Sequence, residues 1–344
     1  MPELRKNPVT NRWVIIATER AKRPSDFLQS DDKTNNNSSN CPLCPGHEKM
    51  TPPEIAAYRE PGTLPNEQGW WVRVIPNKFP ALESSGDLQK AGLGIYDMMS
   101  GTGSHEVIVE TPDHHEPIAL APLKQVEEVL WAYRDRLLAL STQSHLRYVL
   151  IFKNHGKAAG ASLGHPHAQL IATPIVPKLV MEEVEGSRVY YSFKERCVSC
   201  DVLKQELAMG DRIIEENNTF LAYEPYASRF PFETIIAPKK HDASYAFIDK
   251  NQIMDLAKIL KNTLWKMHQL LNDPPFNYIL HTAPFGESVK NFFHWYLEIM
   301  PRLTQVAGFE WGSGMYINPT PPEVAAKELR AIGVPDALQV QKTN

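Results

Sequence analysis

Two histidines flank a proline in the segment GASLGHPHAQLIATP, which begins at Gly160. Side chains two residues apart on an extended strand face the same side of a sheet, so His165 and His167 are expected to point together. Neutral imidazole is both a good metal ligand and a good nucleophile near pH 7. We therefore predict that His165 binds a metal and fixes the strand, while His167 is free to attack an electrophile.

Small residues occupy most of positions 160–164, just before this pair. They let a phosphate approach the backbone closely, where N–H groups around Gly160 and the Ser162 hydroxyl can donate hydrogen bonds. Gln169 shares the strand face of His167, and its amide can donate to a phosphoryl oxygen. A glycine loop alone is equally typical of a hairpin. Beside His167 it indicates nucleotidyl transfer, with His167, Gln169 and Ser162 as the catalytic residues.

All four cysteines fall in two CxxC pairs, CPLC at Cys41/Cys44 and CVSC at Cys197/Cys200. This spacing lets two thiolates bind one tetrahedral zinc when two further ligands come from elsewhere in the chain. A single pair would equally suggest a redox dithiol. Two pairs, each followed by histidines at matching distances, favour two metal sites.

Each half of the chain offers two such histidines, 51 residues apart in the first half and 53 in the second. We predict two Cys₂His₂ zinc sites, the first made by Cys41, Cys44, His114 and His165, and the second by Cys197, Cys200, His241 and His294. His115 is an alternative to His114, and a hydrogen-bonding role in the core is the alternative for any one of these histidines. Because all four positions of each zinc are filled, both metals are expected to be structural.

Strand and helix patterns recur in the same order in the two halves. In the first, WWVRVIPNKFPAL and HEVIVETPDHH alternate like strands, apolar residues from Val126 to Leu140 recur at helical spacing, and RYVLIFKN follows as a strand. The second half repeats this order, with a helix from Ile253 to Leu271 before the strands FNYILHTAPF and FFHWYLEIMP. The repetition predicts an internal duplication, with an N-terminal half over 1–178, a C-terminal half over 179–330 and a loosely held tail over 331–344.

The second half has Tyr296 where the first has His167. A phenol does not act as a neutral nucleophile near pH 7, whereas imidazole does. Only the first half is therefore expected to be catalytic.

Composition narrows the class of partner. The 344 residues are 42% apolar and carry a net charge of −4 without a basic block, which favours small-molecule partners over nucleic acid. The N-terminus lacks the apolar core of a signal peptide, and no apolar run approaches the roughly 20 residues that cross a bilayer. We expect a cytoplasmic protein that does not bind membranes.

Several segments together closely resemble the galactose-1-phosphate uridylyltransferase family, within the histidine-triad superfamily of nucleotidyl transferases. They are NPVTNRWVIIATERAKRP, CPLC, VIPNKFPAL, TPDHH, FKNHGKAAGASLGHPHAQ and FHWYLEIMP, and they span nearly the whole chain. The resemblance implies an α+β fold, in which duplicated histidine-triad-like domains form one extended, mostly antiparallel sheet flanked by helices. It also implies a homodimer whose partner helps to complete each active site.

The resemblance also implies residue roles. His167 falls at the nucleophile, which attacks the α-phosphorus of a nucleotide sugar, forms a covalent nucleotidyl-histidine and releases hexose 1-phosphate. A second phosphorylated acceptor then resolves this intermediate in a ping-pong cycle. The remaining positions match groups that hold phosphoryl oxygens or order the loop (Gln169, Ser162, Asn154), the basic pair near the phosphates (Arg20, Arg23) and the nucleoside pocket (Asn77, Phe79).

Departures from the family pattern concern the sugar end of the site. Uridylyltransferases carry a Lys and a Gln near the C-terminus that contact the hexose phosphate, and neither is evident in GFEWGSGMYINPTPPE. This tail resembles that of nucleoside-diphosphate-sugar phosphorylases such as ADP-glucose phosphorylase, in which the acceptor is free phosphate, whereas HPHAQ resembles the uridylyltransferase motif. The leading expectation is UDP-glucose:galactose-1-phosphate uridylyl transfer. The alternatives are a phosphorylase of this kind and a histidine-triad hydrolase or nucleotide sensor.

Overall fold

The strands and helices are those of a computed structural model, which describes residues 1–17 and 38–335. The strands are β1 (Glu3–Lys6), β2 (Trp13–Ile16), β3 (Ala56–Arg59), β4 (Trp70–Pro76), β5 (Ala91–Leu93), β6 (Tyr96–Met98), β7 (Ser104–Val109), β8 (Tyr148–His155), β9 (His167–Thr173), β10 (Ile213–Glu216), β11 (Phe220–Tyr223), β12 (Thr234–Pro238), β13 (Phe276–His281), β14 (Tyr296–Pro301) and β15 (Tyr316–Asn318). The helices are α1 (Leu123–Ser141), α2 (Lys178–Lys194), α3 (Val198–Met209), α4 (Lys250–Leu271), α5 (Gly308–Ser313) and α6 (Pro322–Ala331).

Ten of these strands form one antiparallel sheet in the order β10-β11-β12-β14-β13-β8-β9-β7-β4-β3. The order reads the same outward from its centre, because β8-β9-β7-β4-β3 on one side corresponds to β13-β14-β12-β11-β10 on the other. In each half the helix, α1 or α4, follows the third strand that this half contributes to the ten-stranded sheet, which is β7 or β12. The duplicated α+β fold expected from the sequence is confirmed.

The two halves meet at the central pair β8 and β13. These strands pair antiparallel, with Asn154 opposite Asn277 and His155 opposite Phe276. The junction is therefore made by backbone hydrogen bonds of the sheet itself, and it brings residues of the second half next to the loop that follows β8.

One face of the sheet is covered by α1, α4 and α6. The apolar residues that recur at helical spacing from Val126 to Leu140 and from Ile253 to Leu271 are all buried there, in a single core with strand residues such as Ile108 and Leu297. The Asp249 carboxylate accepts from the Gln252 backbone N–H in a capping box at the start of α4. The predicted helical periodicity is confirmed by this face.

The opposite face differs between the halves. In the second half it is covered by α3, whose Leu203 packs on Leu221 and Ala237, while α2 packs Val180 and Val184 on Tyr148 of β8. The small sheet β1-β2-β15 ties the two ends of the described chain together. In the first half the same face carries the loop after β8 and the first Cys/His cluster, so this is where the functional residues lie.

Among the described residues, none of the helices combines the length and apolar character required to span a membrane. The predicted tail begins at the end of α6, and its last residues, 336–344, lie outside the described part of the chain.

Candidate active site and metal centres

The first CxxC pair and two histidines converge beside β9. The ligand atoms of Cys41, Cys44, His114 and His165 all lie within 4.8 Å of one another. Cys44 Sγ is 3.3 Å from His114 Nδ1 and 3.5 Å from His165 Nδ1. The four predicted ligands of the first site are therefore brought together.

Hydrogen bonding leaves the metal-facing nitrogen of His165 free. Its Nε2 lies 2.8 Å from the Thr111 carbonyl oxygen, which can only accept, so Nε2 carries the proton and Nδ1 has a lone pair. Burial lowers the pKa of His165 to about 4, which keeps the ring neutral. Two thiols and such imidazoles are the donors that tetrahedral zinc prefers, so these residues fit the metal.

The structure places His114, and not His115, in this cluster. Both lie in a turn that follows β7 and not on a strand, so the expected alternation of neighbouring side chains does not apply. His114 is buried, and its ring meets that of His165 edge to face with the centroids 5.2 Å apart. His115 is exposed, and its backbone N–H donates to the Asp113 carboxylate.

The second cluster has the same design. Cys197, Cys200, His241 and His294 also place their ligand atoms within 4.8 Å of one another. His241 Nε2 donates to the Lys290 carbonyl at 2.8 Å and His294 Nε2 donates to the Pro238 carbonyl at 2.9 Å, which directs each Nδ1 to the thiols. Cys200 Sγ lies 3.4 and 3.5 Å from these two Nδ1 atoms. The repeated donor set also fits zinc.

His167 is the first residue of β9 and is buried, with 7% of its surface exposed. Its Nδ1 lies 2.8 Å from the His165 carbonyl oxygen. A carbonyl can only accept, so Nδ1 carries the proton and the Nε2 lone pair is available for attack. Burial lowers the pKa of His167, and the nearby Lys153 ammonium lowers it further, so the ring is held neutral.

A buried polar network supports the backbone on both sides of His167. Lys153 Nζ donates to the His167 carbonyl at 3.2 Å and pairs with the Glu110 carboxylate, while the Glu110 backbone N–H donates to the Pro166 carbonyl at 3.1 Å. The Tyr133 and Tyr278 hydroxyls lie 3.0 and 3.2 Å from Glu110 Oε1. Tyr278 belongs to β13, so the second half helps to hold the His-Pro-His segment in place.

The glycine loop after β8 is also held by the second half. Asn277 Nδ2 donates to Asn154 Oδ1 and to the Ala159 carbonyl, each at 2.8 Å. Gly156 has φ 79°, and a Cβ added there would lie 2.8 Å from Pro275 Cβ, so only glycine fits where the loop leaves the strand. Gly160 and Ser162 are exposed on this loop. The Gly160 backbone N–H donates to the Lys157 carbonyl at 2.9 Å, so this predicted phosphate donor is already occupied within the loop.

Gln169 and Asn154 lie on the same sheet face as His167. Phe152 pairs with Gln169 in the register of β8 and β9, so Asn154, two residues further along β8, comes level with His167. Gln169 Oε1 lies 2.9 Å from His105 Nε2 of β7. The predicted nucleophile and two of its predicted phosphate ligands are thus brought to one place.

The predicted nucleoside residues follow β4 at the rim of this face. Asn77 Oδ1 accepts from the Phe79 backbone N–H at 2.9 Å, and the Asn77 N–H donates to the His105 carbonyl at 2.8 Å. The Phe79 ring is 82% exposed, which leaves a large aromatic surface available to a base. Arg20 and Arg23, the predicted basic pair, lie outside the described residues.

Sequence reasoning missed His105, Glu110, Lys153 and Tyr278. The alternation of SHEVIV does place His105 on the same face as Val107 and Val109, and this signal could have identified it. Glu110 directly follows β7, and Lys153 and Tyr278 are polar residues in the apolar strands β8 and β13. Tyr278 reaches Glu110 because β13 pairs with β8, which sequence alone does not give.

In the second half, Tyr296 opens β14 as His167 opens β9, and Glu298 takes the place of Gln169. The Tyr296 ring stacks on His281, with centroids 4.3 Å apart. His281 lies between Glu183 and Glu298, 3.3 Å from each carboxylate, and Arg229 binds Glu298 at 2.6 Å. Burial opposes protonation of His281, but these carboxylates raise its pKa to about 10, so the group is a buried ion network.

Together, the duplicated sheet, the glycine loop and the His-Pro-His strand define a nucleotidyltransferase. Family models confirm this class: residues 1–177 match the N-terminal domain, and 183–336 the C-terminal domain, of galactose-1-phosphate uridyl transferase. The chain belongs to the galactose-1-phosphate uridylyltransferase family, as its sequence motifs predicted.

Individual relatives carry two different activities in their names. The chain is 38% identical over 338 residues to ADP-glucose phosphorylase of Arabidopsis thaliana, covering 97% of this chain and 93% of that one. It is 33% identical over 339 residues to galactose-1-phosphate uridylyltransferase of Thermotoga maritima, covering 96% and 98%. The solved Arabidopsis ADP-glucose phosphorylase with bound ADP-glucose superposes with TM-score 0.81 at 36% identity, covering 97% of this chain and all of that one. A solved uridylyltransferase gives 0.75 at 28%, covering 98% and 99%.

Proposed function

We propose that this enzyme transfers a nucleotidyl group from a nucleotide sugar through a covalent nucleotidyl-His167 intermediate. The observation that carries the proposal is the fixed tautomer of His167, whose Nδ1–H is bound by the His165 carbonyl and whose Nε2 lone pair lies on the face that also presents Gln169. A nucleophile of this kind needs no deprotonation before it attacks.

In the first step, His167 Nε2 attacks the α-phosphorus and forms a P–N bond, while the bond from the α-phosphorus to the bridging oxygen breaks and hexose 1-phosphate leaves. The ring then carries a positive charge with its proton still on Nδ1, where the His165 carbonyl stabilises it. In the second step, an oxygen of a phosphate acceptor attacks the same phosphorus, the P–N bond breaks, and neutral His167 is restored. The cycle balances without any external proton donor.

The loop and its neighbours supply the donors for this chemistry. We assign the phosphoryl oxygens to the Gln169 amide, the Ser162 hydroxyl and the Asn154 side chain, and the nucleoside to Asn77 and Phe79. Gly160 is proposed to leave room for the phosphate to approach the loop. Preorganised donors of this kind stabilise charge that develops on the phosphoryl oxygens. Arg20 and Arg23 are proposed to bind the nucleotide phosphates through their guanidinium groups.

Two substrate pairs are proposed, each supported by its own observation. Transfer of adenylyl from ADP-glucose to phosphate is supported by the 38% identity to a phosphorylase and by the phosphorylase-like tail GFEWGSGMYINPTPPE. Transfer of uridylyl from UDP-glucose to galactose 1-phosphate is supported by the HPHAQ motif and by the similarity to uridylyltransferases.

Intact-protein mass spectrometry decides both the mechanism and the base. The purified enzyme is incubated with UDP-glucose or with ADP-glucose and quenched above neutral pH, because a phosphoramidate is acid-labile. A mass gain of one AMP or one UMP supports the covalent mechanism and identifies the base, and phosphate and galactose 1-phosphate are then compared as acceptors. No adduct from either donor would contradict the role of His167, and equal turnover with and without an acceptor would indicate a hydrolase.

We propose zinc for both Cys₂His₂ clusters, because two thiols and two imidazole Nδ1 atoms match its preferred donor set. In this position zinc would cross-link the CxxC loop to β9 or β14, and it has no open position for substrate. The chemistry is therefore assigned to His167, and the metals are assigned to the stability of the strands that carry the site.

We also propose a homodimer, supported by the hairpin of β5 and β6. Its large apolar side chains are exposed, with Leu93 at 75%, Ile95 at 91%, Tyr96 at 70% and Met98 at 63%. Contiguous apolar surface of this kind is typical of protein–protein contacts. The hairpin follows the nucleoside segment around Phe79 in the chain, so a partner bound there would come close to the site.

A further inference from the structure

His105 lies beside Gln169 and takes no part in the transfer steps described above. It belongs to β7, and its ring has two well-placed partners. The Ala81 backbone N–H donates to His105 Nδ1 at 3.1 Å, and Gln169 Oε1 lies 2.9 Å from His105 Nε2.

These two contacts fix the protonation of the ring. A backbone N–H can only donate, so His105 Nδ1 must be the unprotonated nitrogen, and the proton of the neutral ring lies on Nε2. His105 Nε2–H therefore donates to Gln169 Oε1. Asn77 Nδ2 is also 3.1 Å from Nε2, but an amide nitrogen carries only donors, so it is a neighbour and not a partner of that N–H.

The orientation of the Gln169 amide matters for its proposed role. The terminal amide torsion of glutamine is soft and roughly two-fold, so the oxygen and the NH₂ group can exchange places unless something fixes them. With Oε1 bound to His105, the NH₂ group is directed away from His105 and remains free to donate. The reversed amide would present its oxygen to a phosphoryl oxygen, and two acceptors would then face each other.

We infer that His105 is a positioning residue for nucleotidyl transfer, which orients the Gln169 amide so that its NH₂ group donates to a phosphoryl oxygen at His167. The inference rests on the proposed function. The segment after β4 then also helps to orient Gln169, because the Ala81 N–H selects the His105 tautomer and the Asn77 N–H binds the His105 carbonyl.

A double-mutant cycle tests this inference. The variants are His105→Phe, which keeps a flat ring without nitrogen, Gln169→Ala, and the two combined, and the readout is the single-turnover rate of nucleotidyl-enzyme formation. We expect a loss of about a hundredfold for Gln169→Ala and of roughly tenfold for His105→Phe, the effect of losing an outer partner that orients a functional group. The double variant should be no slower than Gln169→Ala, since His105 acts only through that amide.

His105→Gln places an amide N–H near the position of Nε2 and should recover part of the rate, which a purely structural role for the ring would not predict. His145→Phe is the matched control. His145 lies beside β8 at the far end of the sheet, so this variant should retain the wild-type rate. If His105→Phe does not fold, His105→Gln replaces it in the cycle. Multiplying losses in the double variant, or a wild-type rate for His105→Phe, would overturn the inference. A wild-type enzyme that forms no adduct would instead overturn the proposed function.

Discussion

The first residues of β9 and β14 occupy equivalent places in the two halves, but one is His167 and the other is Tyr296. Around His167, hydrogen bonds fix one nitrogen and leave the other available. Around Tyr296, the equivalent of Gln169 is Glu298, which binds His281 and Arg229. A carboxylate there would repel a phosphoryl oxygen, so the second half has an internal ion network at the place where we propose that the first half binds phosphate.

The surroundings of β9 and β14 also differ between the two halves. Beside β14 a cavity of about 490 Å³ lies under α3, lined by apolar and phenolic side chains, among them Tyr223 and Tyr296, and by charged side chains of both signs, among them Glu183, Glu206 and Arg212. The segment that follows β13, TAPFGESVK, contains one glycine and lacks the run of small residues that precedes His165 in the first half. The proposed phosphate site therefore depends on the loop after β8 and on His167 and Gln169, and not on the fold that the two halves share.

The comparison predicts its largest effect at His167. Replacing His167 by Gly removes the nucleophile and should lower nucleotidyl transfer by a factor on the order of 10⁵ or more. Zinc content and the thermal midpoint should stay close to wild type, because His167 is not among the four residues of either Cys₂His₂ cluster. Metal analysis and intact mass after incubation with donor measure both. Loss of zinc from this variant would mean that ligand and nucleophile are wrongly assigned.

The two metal sites should differ in their effect on activity. Cys41→Ser and Cys197→Ser should each remove about one of two bound zinc ions and lower the thermal midpoint. Cys41→Ser should also lower the transfer rate by about ten- to a hundredfold, because His165 anchors the strand of His167. Cys197→Ser serves as the matched variant, and it should leave the rate of the remaining folded enzyme nearly unchanged. Equal rates for the two variants would remove the functional distinction between the sites.

A smaller effect is expected where the second half supports the first. Tyr278→Phe deletes a hydroxyl bound to Glu110, which should cost about 1 kcal/mol of the free energy of unfolding and lower the transfer rate several-fold. Tyr245→Phe is the control, because Tyr245 is equally buried in the same core but its hydroxyl binds the Leu130 carbonyl of α1 instead of Glu110. It should cost a similar stability without a change in rate. Denaturant titration measures the loss of stability in each variant, and steady-state kinetics measures the transfer rate. A rate loss in both variants would count against a specific role for Tyr278.

The smallest effect concerns pH and stability. The pKa of His281 is raised from 6.5 to about 10, so its protonated, ion-paired form stabilises the fold fully below the unfolded value and loses this contribution as pH rises toward 10. The free energy of unfolding should therefore fall between about pH 7 and 10. His281→Gln should flatten that part of the profile. An unchanged pH profile in this variant would show that the His281 network carries no charge.

Sequence alone predicted the duplicated sheet, both helical faces and the two ligand sets, because spacing and periodicity encode them directly. It could not decide between His114 and His115, since that choice depends on a turn after β7. It also missed Lys153 and Tyr278, which gain meaning only from the register of β8 against β13. Local patterns thus predicted the candidate reacting groups, whereas the residues that contact them from the second half are given only by long-range pairing.

The antiparallel contact between β8 and β13 has one further consequence. Two separate copies of such a domain would need to associate, and every substitution would appear on both sides of their interface. Joined in one chain, the halves remain together at any dilution, at the high effective concentration of an intramolecular contact. Each half can then change independently of the other. Asn277 and Tyr278 can be selected for their contacts with the first half, while Tyr296 need not act as a nucleophile.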